Sequence, residues 1–258
     1  MVCSAAVVGL FLFSLNFFSS SGAEINNLPQ IIKFLQENYG DGEMFAVAIN
    51  IPSRKCSSRG KLNQNILPKD PSWKVKHGLH GIEGVYSGQS LIGAKTKTMD
   101  SLPEYQLLIQ SDQSENGTQY PRLKKLLDKN KNGCVVFYSF QSPCVSSCPS
   151  PRGRYSIMSA LDLFQNHTGP KAFVFKQVYK HKVSSVQRQR PLWHCYRHGP
   201  NRYAMMSVWE NYADQIAWQA GINQINARVP LFRCSAQKCI PCIYEREVDG
   251  RCMHPVKL

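Results

Sequence analysis

The residues best suited to chemistry in this 258-residue chain are one carboxylate and a pair of thiols. Glu104 stands in Leu102-Pro103-Glu104, and Cys144 and Cys148 stand in Ser-Pro-Cys-Val-Ser-Ser-Cys. Closely spaced thiolates are zinc ligands, and zinc lowers the pKa of a bound water to about 7. A carboxylate beside such a water carries protons between it and a substrate. The three residues together predict metal-assisted hydrolysis.

Two predicted helices place these residues at their amino-terminal ends. Glu104 lies in the first turn of a helix predicted from Leu102 to Gln110. Cys144 and Cys148 follow the strand predicted over Gly133–Phe140, which is rich in Val and aromatics, and precede another helical segment. The helix macrodipole stabilises thiolates at a helix start, so two adjacent starts suit one shared metal beneath an open pocket.

The remaining elements alternate between strands and helices, which predicts a three-layer α/β domain. Ser53 to Gly78 is predicted as an extended loop. The other predicted elements, in chain order, are helix Leu28–Tyr39, strand Met44–Ile51, strand Gly84–Lys95, helix Leu102–Gln110, helix Pro121–Asp128, strand Gly133–Phe140, helix Tyr155–Phe164, strand Lys171–Tyr179, helix Tyr203–Ala227 and a short strand Val229–Leu231.

This element order, with Glu104 and the Pro-Cys segment at helix starts, resembles the cytidine deaminase-like superfamily. The phrase from Tyr138 to Cys144 is especially similar to the Ser-Pro-Cys segment of polynucleotide cytidine deaminases. The resemblance implies a mixed central sheet of about five strands flanked by helices. It places this domain at residues 24–233 and a Cys-rich tail at 234–258. It also implies that Glu104 carries protons and that Cys144 and Cys148 hold zinc.

The sequence departs from the family pattern at the position of the His ligand, where it has Leu102. Leucine has no donor atom, and two thiolates alone make a poor zinc site. The spacing between Cys144 and Cys148 is also one residue wider than usual. The favoured hypothesis is therefore a catalytically impaired pseudoenzyme that binds a polyanion or a protein partner. The alternatives are an active zinc deaminase with an atypical ligand and a basic extracellular effector of immune or toxin type.

The amino terminus predicts secretion. An apolar run from Ala5 to Phe18 ends in small residues, which is typical of a signal peptide covering residues 1–23. Asn116-Gly117-Thr118 and Asn166-His167-Thr168 are sequons, so Asn116 and Asn166 are predicted glycosylation sites. No later apolar run reaches the roughly 18 residues needed to cross a bilayer.

Secretion determines how the cysteines are interpreted. Cys3 leaves with the signal peptide, and the nine that remain are expected to be mostly disulfide-bonded outside the cell. Because nine is an odd number, at least one of these cysteines has no partner within the chain. Cys134 lies in an apolar run and is the predicted buried free thiol. The tail cysteines Cys234, Cys239, Cys242 and Cys252 are predicted to form disulfides instead of a zinc site, with their pairing open.

The charge predicts an anionic partner. The chain has 31 Lys and Arg against 17 Asp and Glu, a formal net charge of +14. Residues 171–203 contain eight Lys or Arg, no acid and several aromatics, a composition that suits single-stranded nucleic acid or another polyanion. A solvated loop whose charge only maintains solubility is the alternative. The candidate polyanion-binding residues are Lys180, Lys182, Arg188, Arg190, Arg197 and Arg202.

Overall fold

The computed structural model describes residues 25–40, 44–57, 62, 64–97, 102–111, 120–143, 156–178, 216–254 and 258. The helices are α1 (Leu28–Tyr39), α2 (Ser53–Ser57), α3 (Ser72–His80), α4 (Pro103–Leu108), α5 (Arg122–Asp128), α6 (Met158–Gln165) and α7 (216–226). The strands are β1 (Phe45–Ile51), β2 (Val85–Ser87), β3 (Leu91–Lys95), β4 (Cys134–Gln141), β5 (Lys171–Gln177), β6 (Leu231–Cys234), β7 (Cys239–Pro241), β8 (Ile243–Tyr244) and β9 (Glu247–Val248).

Seven strands form one mixed sheet in the order β2-β3-β1-β4-β5-β6-β7. β1 is antiparallel to both β3 and β4, whereas β4, β5 and β6 run parallel. Parallel neighbours require crossovers, and α6 and α7 lie in the segments that connect β4 to β5 and β5 to β6.

The central strands are buried on both faces, because helices cover the sheet from two sides. In β1, Ala46 and Ala48 belong to one apolar cluster, and Val47 and Ile49 belong to the other. This alternation follows from the two-residue period of a strand. A strand that packs against an apolar layer on each face needs apolar side chains at nearly every position. The sequence of β1 is therefore apolar almost throughout.

The two clusters define the outer layers of the three-layer α/β fold. One layer contains α4, α5, α6 and α7, with Leu107, Leu126, Phe164 and Ile222 among its buried residues. The opposite layer contains α1, α2 and α3. The three-layer prediction is therefore confirmed, and the Glu104 helix α4 lies on the four-helix face.

Two sequence predictions near the start of the chain are wrong. Ser53–Gly78 is not an extended loop, because α2, a 3₁₀ turn at Gln64–Ile66 and most of α3 lie within it. The helical periodicity of α3 is difficult to recognise in the sequence, because Val75 and Leu79 are its buried residues and most of the others are Lys, His or Gly. Gly84–Lys95 is not one strand but the β2–β3 hairpin.

The sheet is wider than the predicted five strands because both edges gain a strand. The β2–β3 hairpin supplies two strands at one edge, and the Cys-rich tail supplies β7 at the other. Cys234 pairs with Cys239 across the β6–β7 ladder, and their disulfide closes the connecting turn. A second disulfide joins Cys242 to Cys252. The prediction that these four tail cysteines form disulfides is confirmed.

The prediction that Cys134 is a free thiol is wrong. Cys134 is buried, as expected, but it forms a disulfide with Cys56 across a Cα–Cα distance of 6.3 Å. The cause is the register of the β1–β4 pair, in which Cys134 lies opposite Ile51 at the end of β1. The chain then turns into α2 and returns Cys56 to that point. In the chain-entropy account, closing this 78-residue separation contributes about 4 kcal/mol.

Within the described part of the chain, no helix is long and apolar enough to cross a membrane. The predicted signal peptide at residues 1–23 lies outside the described residues, as does the first part of the helix predicted over Tyr203–Ala227. The described part of that prediction is α7, which is confirmed as helical.

Candidate functional site

The candidate site begins at the amino-terminal end of α4. Leu102 is the N-cap residue and has an extended backbone, with φ −79° and ψ 122°. Pro103 follows in the first turn, where its missing N–H costs nothing because that donor has no helical partner. Glu104 lies in the same turn, where the helix dipole favours an acid. The predicted helix and the position of Glu104 within it are confirmed.

Glu104 points into the protein and contacts the end of β4. Its side chain is only 8% exposed, and the Ser139 hydroxyl donates a hydrogen bond to its Oε1. The same hydroxyl lies 2.7 Å from the carbonyl oxygen of Gln141, which is a second acceptor. A hydroxyl has one hydrogen and cannot donate to both acceptors at once. When Ser139 donates to Gln141, the contact with Glu104 therefore requires a proton on the carboxyl.

The electrostatic environment of Glu104 favours this proton. Burial raises the pKa of its carboxyl above the ordinary value, while the Ser139 hydroxyl and the backbone N–H of Glu104 itself act in the opposite direction. Burial raises the pKa of an acid because the charged form loses more hydration than the neutral form. A buried carboxyl with a raised pKa is the kind of group that general acid–base chemistry uses.

A second polar pair involves Gln106, two residues further along α4. The buried guanidinium of Arg122 in α5 donates to the carbonyl oxygen of Gln106 over 2.9 Å. The side-chain Oε1 of Gln106 is buried and accepts no hydrogen bond from the residues that the structure describes. Arg122 therefore ties α4 to α5 and fixes the helix that carries Glu104.

Ser139 is the site residue that the sequence reasoning missed. Its signal was present, because it is the only hydroxyl in the Cys134–Phe140 stretch apart from Tyr138. In a strand buried on both faces, an isolated serine needs a partner for its hydroxyl. That partner proved to be the candidate catalytic residue.

The structure places Glu104 beside the segment that leads to the predicted metal ligands. Ser142 and Pro143 are buried and continue directly from β4, and the Ser142 N–H donates to the carbonyl oxygen of Gln177 over 2.7 Å. Cys144 and Cys148 themselves lie outside the described residues. Their role as metal ligands therefore stays a prediction.

The described side chains do not by themselves form a zinc site. Leu102, which the resemblance aligns with the nitrogen ligand of the family, has a hydrocarbon side chain with no donor atom. Among the residues that the structure describes, no three His, Cys, Asp or Glu side chains form a group suited to a metal ion. Glu104 has instead turned its carboxyl toward Ser139.

The other predicted sites divide between described and undescribed residues. Asn166 is exposed at the carboxyl end of α6, with the Thr168 hydroxyl of its sequon 2.9 Å from the carbonyl oxygen of Lys131. Asn116 lies outside the described residues. The same holds for all six candidate polyanion-binding residues, Lys180, Lys182, Arg188, Arg190, Arg197 and Arg202.

Comparison with known proteins gives one match that covers nearly the whole chain. The family model described as Secreted Novel AID/APOBEC-like Deaminase 1, or SNAD1, matches residues 25–256. No curated protein and no solved structure matches the chain. The family match agrees with the resemblance to the cytidine deaminase-like superfamily, with the α/β fold and with the prediction of secretion. The chain therefore belongs to the SNAD1 family of secreted AID/APOBEC-like deaminases.

Proposed function

We propose that this chain is a secreted deaminase-like protein that has lost zinc-dependent deamination and acts by binding a polyanion. The observation that carries the loss of catalysis is Leu102 at the N-cap of α4, two residues before the buried Glu104. The side chain that should complete the zinc site is a hydrocarbon. The rest of the local architecture persists, including the first-turn acid and its contact with β4.

In this proposal the chain retains Glu104, the residue that would carry protons in an active deaminase. Glu104 is held by Ser139 in a buried position with a raised pKa. Such a group is costly to maintain, because the buried carboxyl has few partners for its charged form. In an active relative the bound metal would supply the activated water, and the carboxyl would move its proton. Here the Glu104 carboxyl keeps its contact with Ser139 but serves no described metal ligand set.

Restoring the ligand tests the loss of catalysis. The variant Leu102→His returns a nitrogen donor to the N-cap position of α4, and we expect it to gain zinc relative to the unmodified protein. Leu102→Gln is a matched control, because it adds polarity without an imidazole. Zinc content of both variants and deamination of cytidine and single-stranded oligonucleotides provide the readouts. If Leu102→His gains neither zinc nor activity, the assignment of Glu104 to the family position is contradicted.

The second part of the proposal concerns the polyanion. A formal net charge of +14 and the acid-free basic stretch at residues 171–203 support electrostatic binding of single-stranded nucleic acid. The affinity for a labelled single-stranded oligonucleotide should fall steeply as salt rises. Neutralising Arg188, Arg190, Arg197 and Arg202 together should weaken binding by about 100-fold or more, since each phosphate contact contributes to counterion release. Binding that is indifferent to salt or to these changes would contradict this part.

One observation favours a second candidate, an active deaminase with an atypical ligand. The buried, proton-holding geometry of Glu104 is the arrangement that acid–base chemistry requires. Deamination by the unmodified protein that disappears in Glu104→Gln would establish this candidate and reject the proposed loss of catalysis.

A further inference from the structure

Helix α3 and the turn that follows it carry two apolar side chains that are exposed to solvent. Trp73 is 72% exposed in the first turn of the helix, and Ile82 is 101% exposed in the turn after its end. Trp is usually well buried, so a tryptophan exposed to this extent indicates a candidate interaction site. The helix itself is anchored by Val75 and Leu79, which pack against the sheet. The exposure of Trp73 is therefore a property of the outer face of a docked helix.

Basic side chains surround these two residues. On a helix, positions i, i+4 and i+7 share one face, so Trp73, His77 and His80 point the same way, opposite Val75 and Leu79. Lys74 flanks Trp73 on the same helix and is exposed, as is Lys69 just before it. At the other end, the Lys97 ammonium donates to the carbonyl oxygen of His80 over 3.2 Å.

Acidic residues are scarce in this region. Asp70 lies close in sequence, but its carboxylate is buried and accepts hydrogen bonds from Tyr86, Gln89 and Ser90. Glu83 is the one exposed acid in the stretch from Lys69 to Lys97. The outer face of α3 therefore combines positive charge with exposed apolar surface. We call Lys69, Trp73, Lys74, His77, His80, Ile82 and Lys97 the α3 surface.

We propose that the α3 surface binds anionic phospholipid membranes, with Trp73 and Ile82 entering the interface and the lysines contacting the headgroups. Trp is favoured at the headgroup level of a bilayer, and lysines near an anionic leaflet are attracted to it. Peripheral binding of this kind needs apolar side chains and cations on one surface. The net charge of +14 adds a long-range attraction to an anionic surface.

Two other partner classes explain the surface less completely. Single-stranded nucleic acid uses aromatic rings on which successive bases stack, and the α3 surface has one such ring, whereas Ile82 has no stacking face. The core of a protein–protein interface is depleted in lysine, whereas here Lys74 adjoins the exposed tryptophan. An anionic bilayer is the partner for which both the aliphatic and the cationic side chains have a use.

The α3 surface is separate from the candidate active site. α3 belongs to the three-helix face of the sheet, whereas Glu104 lies on the four-helix face. The candidate polyanion-binding residues, from Lys180 to Arg202, lie in another part of the sequence. The inference therefore does not rest on the proposed function, and the two can fail independently.

Vesicle binding tests the inference. The purified secreted protein should co-sediment with vesicles of phosphatidylcholine and phosphatidylserine, and far less with pure phosphatidylcholine. Trp73→Ala should weaken binding to the anionic vesicles by about tenfold, the usual effect of removing a buried apolar side chain. Lys69→Glu with Lys74→Glu should weaken it by at least about tenfold, since each cation near an anionic leaflet contributes roughly fivefold.

The Cys-rich tail, which is remote from α3 in the sequence, provides matched controls. Lys238 and Arg246 are exposed in the tail, so Lys238→Glu with Arg246→Glu makes the same change in net charge at a distant place. Tyr244 is 64% exposed there, and Tyr244→Ala matches Trp73→Ala. These control variants should bind the anionic vesicles with an affinity within about twofold of that of the unmodified protein. Equal losses in both sets would show that net charge alone drives adsorption and would overturn the proposal.

Lipid contact can also be measured at Trp73 directly. Vesicles with brominated acyl chains should quench the fluorescence of the unmodified protein more strongly than that of Trp73→Phe. Quenching that is equal in the two proteins would overturn the insertion of Trp73. The proposal would likewise be wrong if Trp73→Ala weakened oligonucleotide binding and left vesicle binding unchanged. Thermal unfolding of each variant checks that the fold is intact.

Discussion

Two carboxyl groups are buried on opposite faces of the sheet, and their surroundings differ in the number of hydrogen-bond donors. Asp70 is fully buried, and its two oxygens accept three hydrogen bonds: from the Tyr86 hydroxyl at 2.8 Å, the Gln89 N–H at 2.9 Å and the Ser90 N–H at 2.7 Å. Glu104 is nearly as buried, and from the residues that the structure describes it receives one side-chain donor, the hydroxyl of Ser139. The same burial therefore has opposite consequences for the two groups.

Three hydrogen-bond donors surround the carboxyl group of Asp70. The two backbone donors belong to the turn between β2 and β3, so the carboxylate fixes the hairpin at the edge of the sheet. Burial and the hydrogen bond to Asp70 raise the pKa of the Tyr86 hydroxyl, which keeps that donor protonated. Backbone donors cannot be lost by mutation or rotation, which makes Asp70 a structural anchor.

At Glu104 the protein has left a charge without enough partners. Burial raises the pKa of its carboxyl, and the hydrogen bond from Ser139 offsets this only in part. Burying a charged group with few partners lowers stability. The comparison teaches that the number of donors, more than burial itself, separates a structural carboxylate from a functional one.

The largest effect should come from Asp70. The variant Asp70→Asn keeps the shape but turns an amide NH₂ toward backbone N–H groups, so at least one buried donor loses its acceptor. We expect the free energy of unfolding to fall by about 3 kcal/mol. Denaturant unfolding at neutral pH measures this value. Asp128→Asn, which breaks only an exposed pair with Lys124, is the control and should cost less than about 0.5 kcal/mol. Equal costs would contradict the anchoring role.

The variant Glu104→Gln should change the free energy of unfolding in the opposite direction, toward greater stability. The amide is neutral at every pH and can still donate to Ser139, so the protein no longer has to bury a charge at neutral pH. We expect a gain of about 1 kcal/mol at pH 7, the usual size when a strained functional residue is relieved. Because the pKa of Glu104 is raised, the native state loses stability as pH rises above the ordinary value of 4.5. The gain should therefore vanish below about pH 4.5.

Denaturant unfolding of Glu104→Gln across pH 4 to pH 8, beside the unmodified protein, tests this sign. Glu37→Gln is a suitable control, because Glu37 is exposed in a pair with Lys33 and should show little change. A loss of stability for Glu104→Gln at all pH values would mean that the carboxylate is well solvated in the fold, and the comparison with Asp70 would fail.

The smallest effect should come from Ser139→Ala. Removing the hydroxyl eliminates a hydrogen bond that lowers the pKa of Glu104, so that pKa should rise further. We expect a loss of about 0.5 kcal/mol, the lower end of what one hydrogen bond contributes to stability. The stability difference between Ser139→Ala and Ser139→Ala/Glu104→Gln should begin near the same pH as for the serine proteins but should level off at a higher pH, because it levels off at the folded-state pKa. Levelling off at an unchanged or lower pH would show that Ser139 does not interact with the carboxyl.

The sequence predicted the helices and strands whose apolar residues repeat regularly over most of their length. α1, β1, β4 and β5 were predicted to within a few residues, because their buried positions repeat at helical or strand spacing. α3 was missed because it buries only Val75 and Leu79, and the β2–β3 hairpin was predicted as one strand because its turn spans only residues 88–90. Their positions depend on Asp70, whose partners are remote in the sequence and could not be read from local pattern.

The candidate site was predictable only in part for a related reason. The position of Glu104 followed from the resemblance to a known family and from the helix start. Its partner Ser139 depends on how β4 packs against α4, which is tertiary information. The same holds for Cys134, whose disulfide partner Cys56 is brought near by the register of β1 and β4. Local sequence gave burial at both positions but not the contact.

Zinc content of the purified secreted protein tests the central claim most directly. If Leu102 has abolished the metal site while Glu104 remains as its buried remnant, the protein should contain far less than one zinc per chain after exposure to zinc and dialysis. Leu102→His, treated in parallel, should contain close to one. About one zinc per chain in the unmodified protein, lost on Cys144→Ser, would contradict the account and establish a working metal site.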